Sequence, residues 1–478
     1  MKIAIKELEI ATEGLIISKN KIGSVSSIST DTRNDCADSL FIPLVGDNHD
    51  AHNYINRAFE KGAVATLTDR DVDIDDEFSE RVCIKVQNTL DALGKLASWY
   101  RLRFSPIVVG ITGSVGKTTT KDLIALVMSK KFNVLKTPGN YNNEIGLPLT
   151  VFGLNEKHDA MVLEMGMNSL GEISKLSKIA RPDSAVITNV GLAHIEKLGS
   201  KQNILKAKLE IIEGQSKTGT LFLNGDDALL NGLRGLIDRQ IVYYGIDEAL
   251  DVIATDIKLC GDVGVEFEFQ WQQKSFRAKL LAAGVHNVHN ALAAIAVGLQ
   301  YGVKPEHIVE AIGEYRSGSM RLNIIDAGEV RIIDDSYNAN PQSMNAAIDV
   351  VAEMECKGRK IVAFGDMLEL GRTAKRCHYE VGEYAAAKGV DVVLAVGAYS
   401  RYLTDGANSG VSGARATETH AFREKKEMIE FLESMVGAGD IILVKGSRGT
   451  RMEEVVRRLN DRFKRDIDAR VEPVKDKG

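Results

Sequence analysis

Gly110-Ile-Thr-Gly-Ser-Val-Gly-Lys-Thr-Thr-Thr120 is the stretch from which the fold can be read. The apolar run Ile107-Val-Val109 before it predicts a buried strand, and Lys121 to Met128 after it predicts a helix. Strand, glycine loop and helix form the context of a phosphate-binding loop. Gly113 and Gly116 let backbone N–H groups close around an anion, and the helix N-terminus adds its own N–H groups and dipole. The cradle is Thr112, Gly113, Ser114, Val115, Gly116, Lys117, Thr118 and Thr119. Lys117 can reach the β- and γ-phosphates of a nucleotide, and the Thr118 hydroxyl can ligate Mg²⁺. Ile111 stands where the strict pattern has a glycine. Gly-Lys-Thr alone would be an ordinary helix start; the longer run after a strand favours phosphate.

A chain of 478 residues is too long for one core, and about three domains are expected. The net charge of −6 offers no basic footprint for nucleic acid. No signal-peptide core and no apolar run of membrane-spanning length is seen, so no membrane insertion is expected. Cys36, Cys83, Cys260, Cys356 and Cys377 are scattered and odd in number, which fits reduced thiols in a cytoplasm.

The fold class expected is α/β, with three domains. Residues 1–104 form a small α/β unit, with strands expected at 40–46 and 63–67 and helices at 55–62 and 90–102. Residues 105–316 alternate strands with helices, predicting a parallel sheet covered on both faces. Its strands are expected at 107–111, 160–164, 185–188, 220–223 and 241–244. Alternation of Val265, Phe267, Phe269 and Trp271 with polar residues, continued by Phe276, Ala278 and Leu280, predicts a hairpin extending one edge. Residues 317–478 form a second, Rossmann-like α/β unit, with strands at 330–334, 360–364, 392–396 and 441–444. The charged residues from 465 onward are expected to fray.

Several polar residues fall where open α/β sheets gather ligands, at the carboxyl ends of strands. Glu164 ends one strand and His194 follows another, and both suit a metal near a γ-phosphate. Asn287 and Asn290 begin a helix at 286–300 and read either as cleft residues or as simple helix caps. Lys206 and Lys208 lie on a helical segment and read, by physics alone, as solvated lysines. Arg321 and Asp335 could meet phosphate and ribose. A third domain that supplied them would close over the nucleotide and exclude water. Arg33 and the polar loop 47–53 read either as an anion site or as solvated surface.

Taken together, these motifs resemble the Mur ligase family. The resemblance runs nearly end to end, through 112–119, Thr137-Pro-Gly-Asn-Tyr-Asn-Asn-Glu-Ile-Gly-Leu-Pro148, Glu164-Met-Gly-Met-Asn168, Thr188-Asn-Val-Gly-Leu-Ala-His-Ile-Glu196, Asp335-Ser-Tyr-Asn-Ala-Asn-Pro-Gln-Ser343 and Gly365-Asp-Met-Leu-Glu-Leu-Gly371. It is closest to the member that adds D-alanyl-D-alanine to UDP-N-acetylmuramoyl-tripeptide. The resemblance implies an ATP-dependent ligation through an acyl phosphate, with Mg²⁺, in two ions, as cofactor. It implies a monomer acting on small-molecule substrates in the cytoplasm.

Residue by residue, the resemblance implies that Lys117, Lys208 and His194 are catalytic. Thr118, Glu164, His194 and a carbamylated Lys208 would hold metal, with Lys208 matching better than Lys206. Asn287 and Asn290 would lie at or near adenine, Arg321 at phosphate and Asp335 at ribose. The UDP end of the substrate would meet Asp31, Thr32, Arg33, Gly46 and His52, although Ala51 stands where a glycine is common. Asn140, Asn142 and Asn143 would meet the same substrate. Ser336, Tyr337 and Asn338 would face the incoming dipeptide. Lys445 and Arg448 are candidates for its carboxylate, against a plain surface basic cluster.

The nearest rival is a sister ligase adding a diamino acid or glutamate; a diaminopimelate-adding member is expected to carry an Asn-Pro-Arg signature in the third domain, which is not found. A nucleotide-binding regulatory module would need the loop but not Glu164, His194 and Lys208 together. A nucleotide kinase would leave the large third domain unexplained.

Overall fold

The computed structural model describes residues 1–18, 23–46, 48–247, 249–410 and 416–471. Asp47 of the polar loop and residues 472–478 of the expected fraying tail lie outside these. The chain is α/β throughout and divides into two compact units, which interleave in sequence. One holds residues 1–112, 131–186 and 207–221; the other holds 113–130, 187–206 and 222–478.

The first unit opens with a five-stranded sheet in the order Leu15–Ile16, Val82–Lys85, Ala65–Thr68, Ser39–Phe41, Ser27–Ser29. All its neighbours are parallel except the first pair. Phe41, Ile55, Ala58 and Phe59 bury one side of it. The strand expected at 40–46 stops at Phe41. Pro43 has no N–H to give a ladder, and the chain turns away into the loop. The same unit holds a parallel array in which Ile107–Thr112 lies beside Ala160–Glu164, and that strand beside Val134–Lys136. Glu164 is in register with Ile111.

In the second unit, Ile241–Gly245, Val252–Leu259, Val265–Trp271 and Lys274–Leu280 are neighbours in that order. The expected hairpin is present and ends its sheet. Gln272 and Gln273 both have left-handed backbones (φ 48° and 64°), the geometry a two-residue hairpin turn needs. Phe269 and Phe276 face each other across it with ring centroids 5.5 Å apart. Val252–Leu259 was not foreseen; its polar and apolar residues follow no period-2 rule, because a bulge between Thr255 and Lys258 shifts the register.

A six-stranded sheet completes this unit, in the order Asn323–Ala327, Val330–Asp335, Ile441–Lys445, Lys360–Gly365, Val392–Val396, Glu418–Phe422. Only its first pair is antiparallel. Val362, Phe364 and Leu443 pack into one core while Ile361, Ala363, Ile442 and Val444 pack into another. Successive residues point to opposite faces, so both faces are covered by helices. The topology places the ends of three adjacent strands, at Asp335, Lys445 and Gly365, side by side. The edge strands 323–327 and 418–422 were not foreseen; all their residues except Ala327 stay in contact with solvent, which blurs the apolar pattern. The helix Glu453–Val471 runs through the first part of the tail expected to fray, since neither Gly nor Pro interrupts it.

Candidate functional site

The phosphate loop is built as its sequence requires. Gly113 has φ 156°, and a Cβ there would lie 1.8 Å from Thr188 Oγ1. Gly116 has φ 84° and caps the helix Lys117–Ser129; a Cβ there would lie 2.5 Å from Asn290 Oδ1. Only glycine fits either place. The segment 188–191 braces the loop from one side. Asn189 O accepts from Ser114 N (3.1 Å), and Asn189 Oδ1 accepts from Val115 N (2.9 Å). Val115 O accepts from Thr188 Oγ1 (2.6 Å) and Asn189 Nδ2 (2.9 Å). Ser114 Oγ accepts from Gly191 N (2.8 Å). Lys117 Nζ donates to Gly113 O (2.9 Å), which folds its ammonium over the loop. Thr112, the last strand residue, keeps a buried hydroxyl without a partner.

Beside this loop lies a cavity of about 840 Å³, the size of a nucleotide pocket. Its walls include Val115, Gly116, Thr188 to Leu192, Asp226, His289 and Asn290, with Gln342 and Asn345 from the helix Pro341–Glu353. His289 Nε2 meets Asp226 Oδ2 at 2.7 Å. His286 also lines the cavity, and burial, helped by nearby His289 and Lys445, pushes it down to about 4.

Asn287 and Asn290 are not helix caps. The cap of Val285–Gln300 is Gly284, and both asparagines are buried inside the helix. Thr120 Oγ1 donates to Asn290 Oδ1 (3.1 Å), Asn290 Nδ2 to Asn287 Oδ1 (3.0 Å), and Asn287 Nδ2 to Ala283 O (2.8 Å). This relay supports the floor beneath Gly116. Asn290 reaches the cavity wall.

The residues expected around ribose and dipeptide cluster at the strand ends of the six-stranded sheet. Lys445 is not part of a surface basic cluster: it is 2% exposed and pairs with Asp335, Nζ to Oδ2 at 2.5 Å. It also donates to Asn338 O (2.8 Å). Asp335 Oδ1 accepts from Leu322 N (3.1 Å), and burial raises its pKa against the pull of Lys445. Arg321 lies over the Tyr337 ring at 4.1 Å. Ser336 is buried and donates to Asp334 Oδ1 (2.5 Å), while Asn338 is exposed. Arg448 does sit at the surface, paired with Glu453 at 3.1 Å.

The first unit holds most of the remaining predicted residues. Arg33 is 85% exposed and chelated by Asp31 (Nη2 to Oδ2 2.7 Å); Thr32 between them is buried. Gly46 N donates to His49 O (2.8 Å), closing the polar loop. His52 departs from the solvated-surface reading. It is buried, with Nδ1 2.7 Å from Asp50 Oδ1 and Nε2 3.4 Å from Asp69 Oδ1, and Arg70 pairs with both aspartates. Asn140 is exposed, Asn143 accepts from Gly146 N (2.8 Å) to start a helix, and Asn142 Nδ2 donates to Glu164 Oε1 (2.8 Å). Glu164 is buried at its strand end. Of the two lysines, Lys206 is exposed, as the solvated reading has it, and Lys208 is fully buried.

Thr118 and Glu164 offer the oxygen atoms Mg²⁺ prefers, and His194 adds an imidazole. Thr118 and His194 belong to the second unit, Glu164 and Lys208 to the first. Among the described residues no three His, Cys, Asp or Glu side chains converge on one point. The residue types therefore fit a cation whose shell is completed by phosphate oxygens and water, as is usual for nucleotide-bound Mg²⁺.

The sequence points the polar end of the strand before Asn189 at the phosphate loop without saying which bonds Thr188 and Asn189 make there, and it leaves Glu369 unassigned, whose Oε2 lies 2.5 Å from His194 Nδ1. All three sit in motifs quoted above, but only the folded chain says which backbone groups they meet.

Comparisons with known proteins agree with this geometry. The model of the Mur ligase middle domain matches residues 111–298, and that of the Mur ligase, glutamate ligase domain matches 320–448. UDP-N-acetylmuramoyl-tripeptide--D-alanyl-D-alanine ligase of Bacillus subtilis (strain 168) is 40% identical over 437 residues, which are 91% of this chain and 93% of the relative. Among solved structures, MurF from Acinetobacter baumannii superposes with a TM-score of 0.88 at 32% identity, covering 96% of this chain and 99% of that one. MurF ligase from Thermotoga maritima in complex with ADP has a TM-score of 0.80 at 28% identity, covering 92% and 99%.

Proposed function

We infer the reaction from one premise: this chain belongs to the Mur ligase family. We propose that it joins D-alanyl-D-alanine to UDP-N-acetylmuramoyl-tripeptide, cleaving ATP to ADP and phosphate in the synthesis of peptidoglycan precursor. The observation that carries this reading is the cavity against the glycine loop 113–116, in a chain that matches ligases of this name over nearly its whole length. The relative solved with ADP supports the use of an adenine nucleotide by this chain.

We assign residues 1–104 to the UDP end of the substrate, 105–316 to ATP, and 317–478 to closure on ATP and the incoming dipeptide. The two family-model matches fall within the second and third of these. In the first step the terminal carboxylate of the tripeptide takes the γ-phosphoryl group of ATP, giving an acyl phosphate and ADP. The amine of D-alanyl-D-alanine then attacks the acyl carbon, and the tetrahedral intermediate expels phosphate as the amide forms. Lys117 stabilises negative charge on the phosphoryl oxygens in flight. Thr118, Glu164, His194 and a carbamate on Lys208 would hold Mg²⁺, which when bound neutralises phosphate charge. Lys208 is fully buried whereas Lys206 is exposed, which suits Lys208 to a task inside the protein better than Lys206. Arg33 is exposed and Asp31 partly so, where they can meet the uridine diphosphate. Lys445 acts by holding Asp335 and the turn through Asn338, leaving Arg448 as the accessible cation for the dipeptide carboxylate. We propose that the protein acts as a monomer in the cytoplasm, on the substrates its relatives are named for.

The test is phosphate release by the purified protein with ATP, Mg²⁺, UDP-N-acetylmuramoyl-tripeptide and D-alanyl-D-alanine, omitting each in turn. Release that needs all of them, with a UDP-pentapeptide product, is expected. Turnover only with another amino acid and a shorter UDP-peptide would move the chain to a sister ligase.

A further inference from the structure

The segment Gly365 to Gly371 has so far been given no task, yet it is held at many points. Asp366 accepts from Ala398 N (2.8 Å) and Tyr399 N (3.1 Å) through its carboxylate, and from Ser447 N (3.1 Å) through its carbonyl. Met367 N donates to His378 Nε2 (2.9 Å), and Leu368 N donates to Ser447 Oγ (2.8 Å). His378 is buried and its Nδ1 lies 2.7 Å from Ala374 O in its own helix, which fixes the ring while Nε2 holds this segment.

The product of that bracing is Glu369, left in a left-handed backbone (φ 61°) and facing another left-handed residue, His194 (φ 63°). Glu369 Oε2 lies 2.5 Å from His194 Nδ1. That nitrogen is buried, and it meets the carboxylate off the ideal hydrogen-bonding line. Two further contacts bind the same pair of segments. Glu196 N donates to Glu369 O (3.1 Å), and a Cβ on Gly371 would lie 3.2 Å from Glu196 Cγ. A non-glycine residue in the left-handed region costs free energy and persists where its surroundings hold it there.

A carboxylate on one nitrogen of an imidazole draws the proton to that nitrogen and leaves the lone pair on the other. We propose that Glu369 is a positioning residue for the ligase reaction: it fixes the ring and tautomer of His194, with the proton on Nδ1 and Nε2 left as the donor atom. His194 is then set for its work only while the segment 365–371 is docked on 194–196. This makes assembly of the phosphoryl-transfer site depend on the part of the chain that receives the dipeptide. The inference rests on the role given to His194 under the proposed function.

The experiment is histidine side-chain ¹⁵N NMR of the full chain without nucleotide, with His194→Gln to identify the signal of His194. Wild type is expected to hold His194 as the Nδ1-protonated tautomer, and Glu369→Ala to release it into a mixture. Glu369→Gln, which keeps an acceptor oxygen, is expected to fall between. Mn²⁺ affinity in the presence of ADP, read by electron paramagnetic resonance, should weaken about tenfold in Glu369→Ala. The KM for UDP-peptide should stay unchanged while kcat falls. An unaltered His194 signal in Glu369→Ala that still binds UDP-peptide would overturn the inference. The NMR readout needs no turnover, so a wild type with the expected tautomer and no ligase activity would count against the proposed function, not against the Glu369–His194 link.

Discussion

Lys445 and Asp335 form a buried ion pair at the ends of two adjacent parallel strands, in register with each other and 2.5 Å apart. The pair ties the end of Ile441–Lys445 to the turn 335–338 and, through Leu322 N, to the segment entering the six-stranded sheet. Removing one partner leaves a buried charge with no counter-ion. Lys445→Met is expected to cost about 3–5 kcal/mol in denaturant unfolding, and adding Asp335→Asn should restore much of it. Equal losses in the single and double variants would show that the two side chains do not act as a pair.

The phosphate loop predicts a second result. Gly113→Ala would drive a methyl group into Thr188 Oγ1. The clash is expected to cost about 1–3 kcal/mol and to weaken ADP binding about tenfold or more, measured by calorimetry. Binding of the UDP-peptide should be unaffected. Thr188→Ala in the same chain should recover part of the ADP affinity, because it removes the atom in the way.

Lys117→Ala separates binding from chemistry. The ammonium lies over the loop at Gly113 O, where it can follow charge onto the transferred phosphoryl group. Phosphate release is expected to fall about a hundredfold to a thousandfold. The far-ultraviolet circular dichroism and the UDP-peptide affinity should remain those of wild type. Normal ligation by this variant would remove the phosphate-loop assignment.

His286 makes stability depend on pH. An unfolded histidine takes up its proton near 6.5, whereas burial pushes His286 down to about 4 in the folded protein. Between those values the unfolded chain binds more protons. Its contribution to stability is therefore fully present above about pH 6.5 and is lost as pH falls towards 4. The loss is at most about 3 kcal/mol, and smaller in practice because the ring keeps some solvent contact in the cavity wall. Denaturant midpoints measured from pH 7 to pH 4.5 should decline more steeply for wild type than for His286→Asn. Identical slopes would mean that His286 titrates normally.

Arg33→Ala addresses the other end of the substrate. Its guanidinium is exposed and held by Asp31 alone among the described ion pairs, so the melting temperature should not move. If it meets the uridine diphosphate, the KM for UDP-peptide should rise about tenfold, with the KM for ATP unchanged. An unchanged KM for both substrates would return Arg33 to plain surface solvation.

Local chemistry alone determined the class of this protein. Glycines at 113 and 116 followed by Lys117 and Thr118 specify an anion cradle wherever a strand precedes them and a helix follows. Apolar runs spaced by helical stretches specify parallel sheets, and the Val265 to Leu280 alternation specifies the edge hairpin. These features are legible because each depends on residues close in sequence.

Tertiary structure decided the rest. Which of Lys206 and Lys208 is buried depends on the face the helix turns inward, and two residues of separation point the side chains to different sides. Whether Lys445 is a surface cation or a buried partner of Asp335 depends on a parallel register across 110 residues of chain. Asn287 and Asn290 look like caps until the helix start falls at Gly284 and their amides turn to Ala283 and Thr120. The pairing of His194 with Glu369 joins residues 175 positions apart through backbone conformations that both side chains ordinarily avoid. Sequence states which groups are present and what each can do; the distances at which they meet are set by strand order and packing, which no short stretch of residues contains.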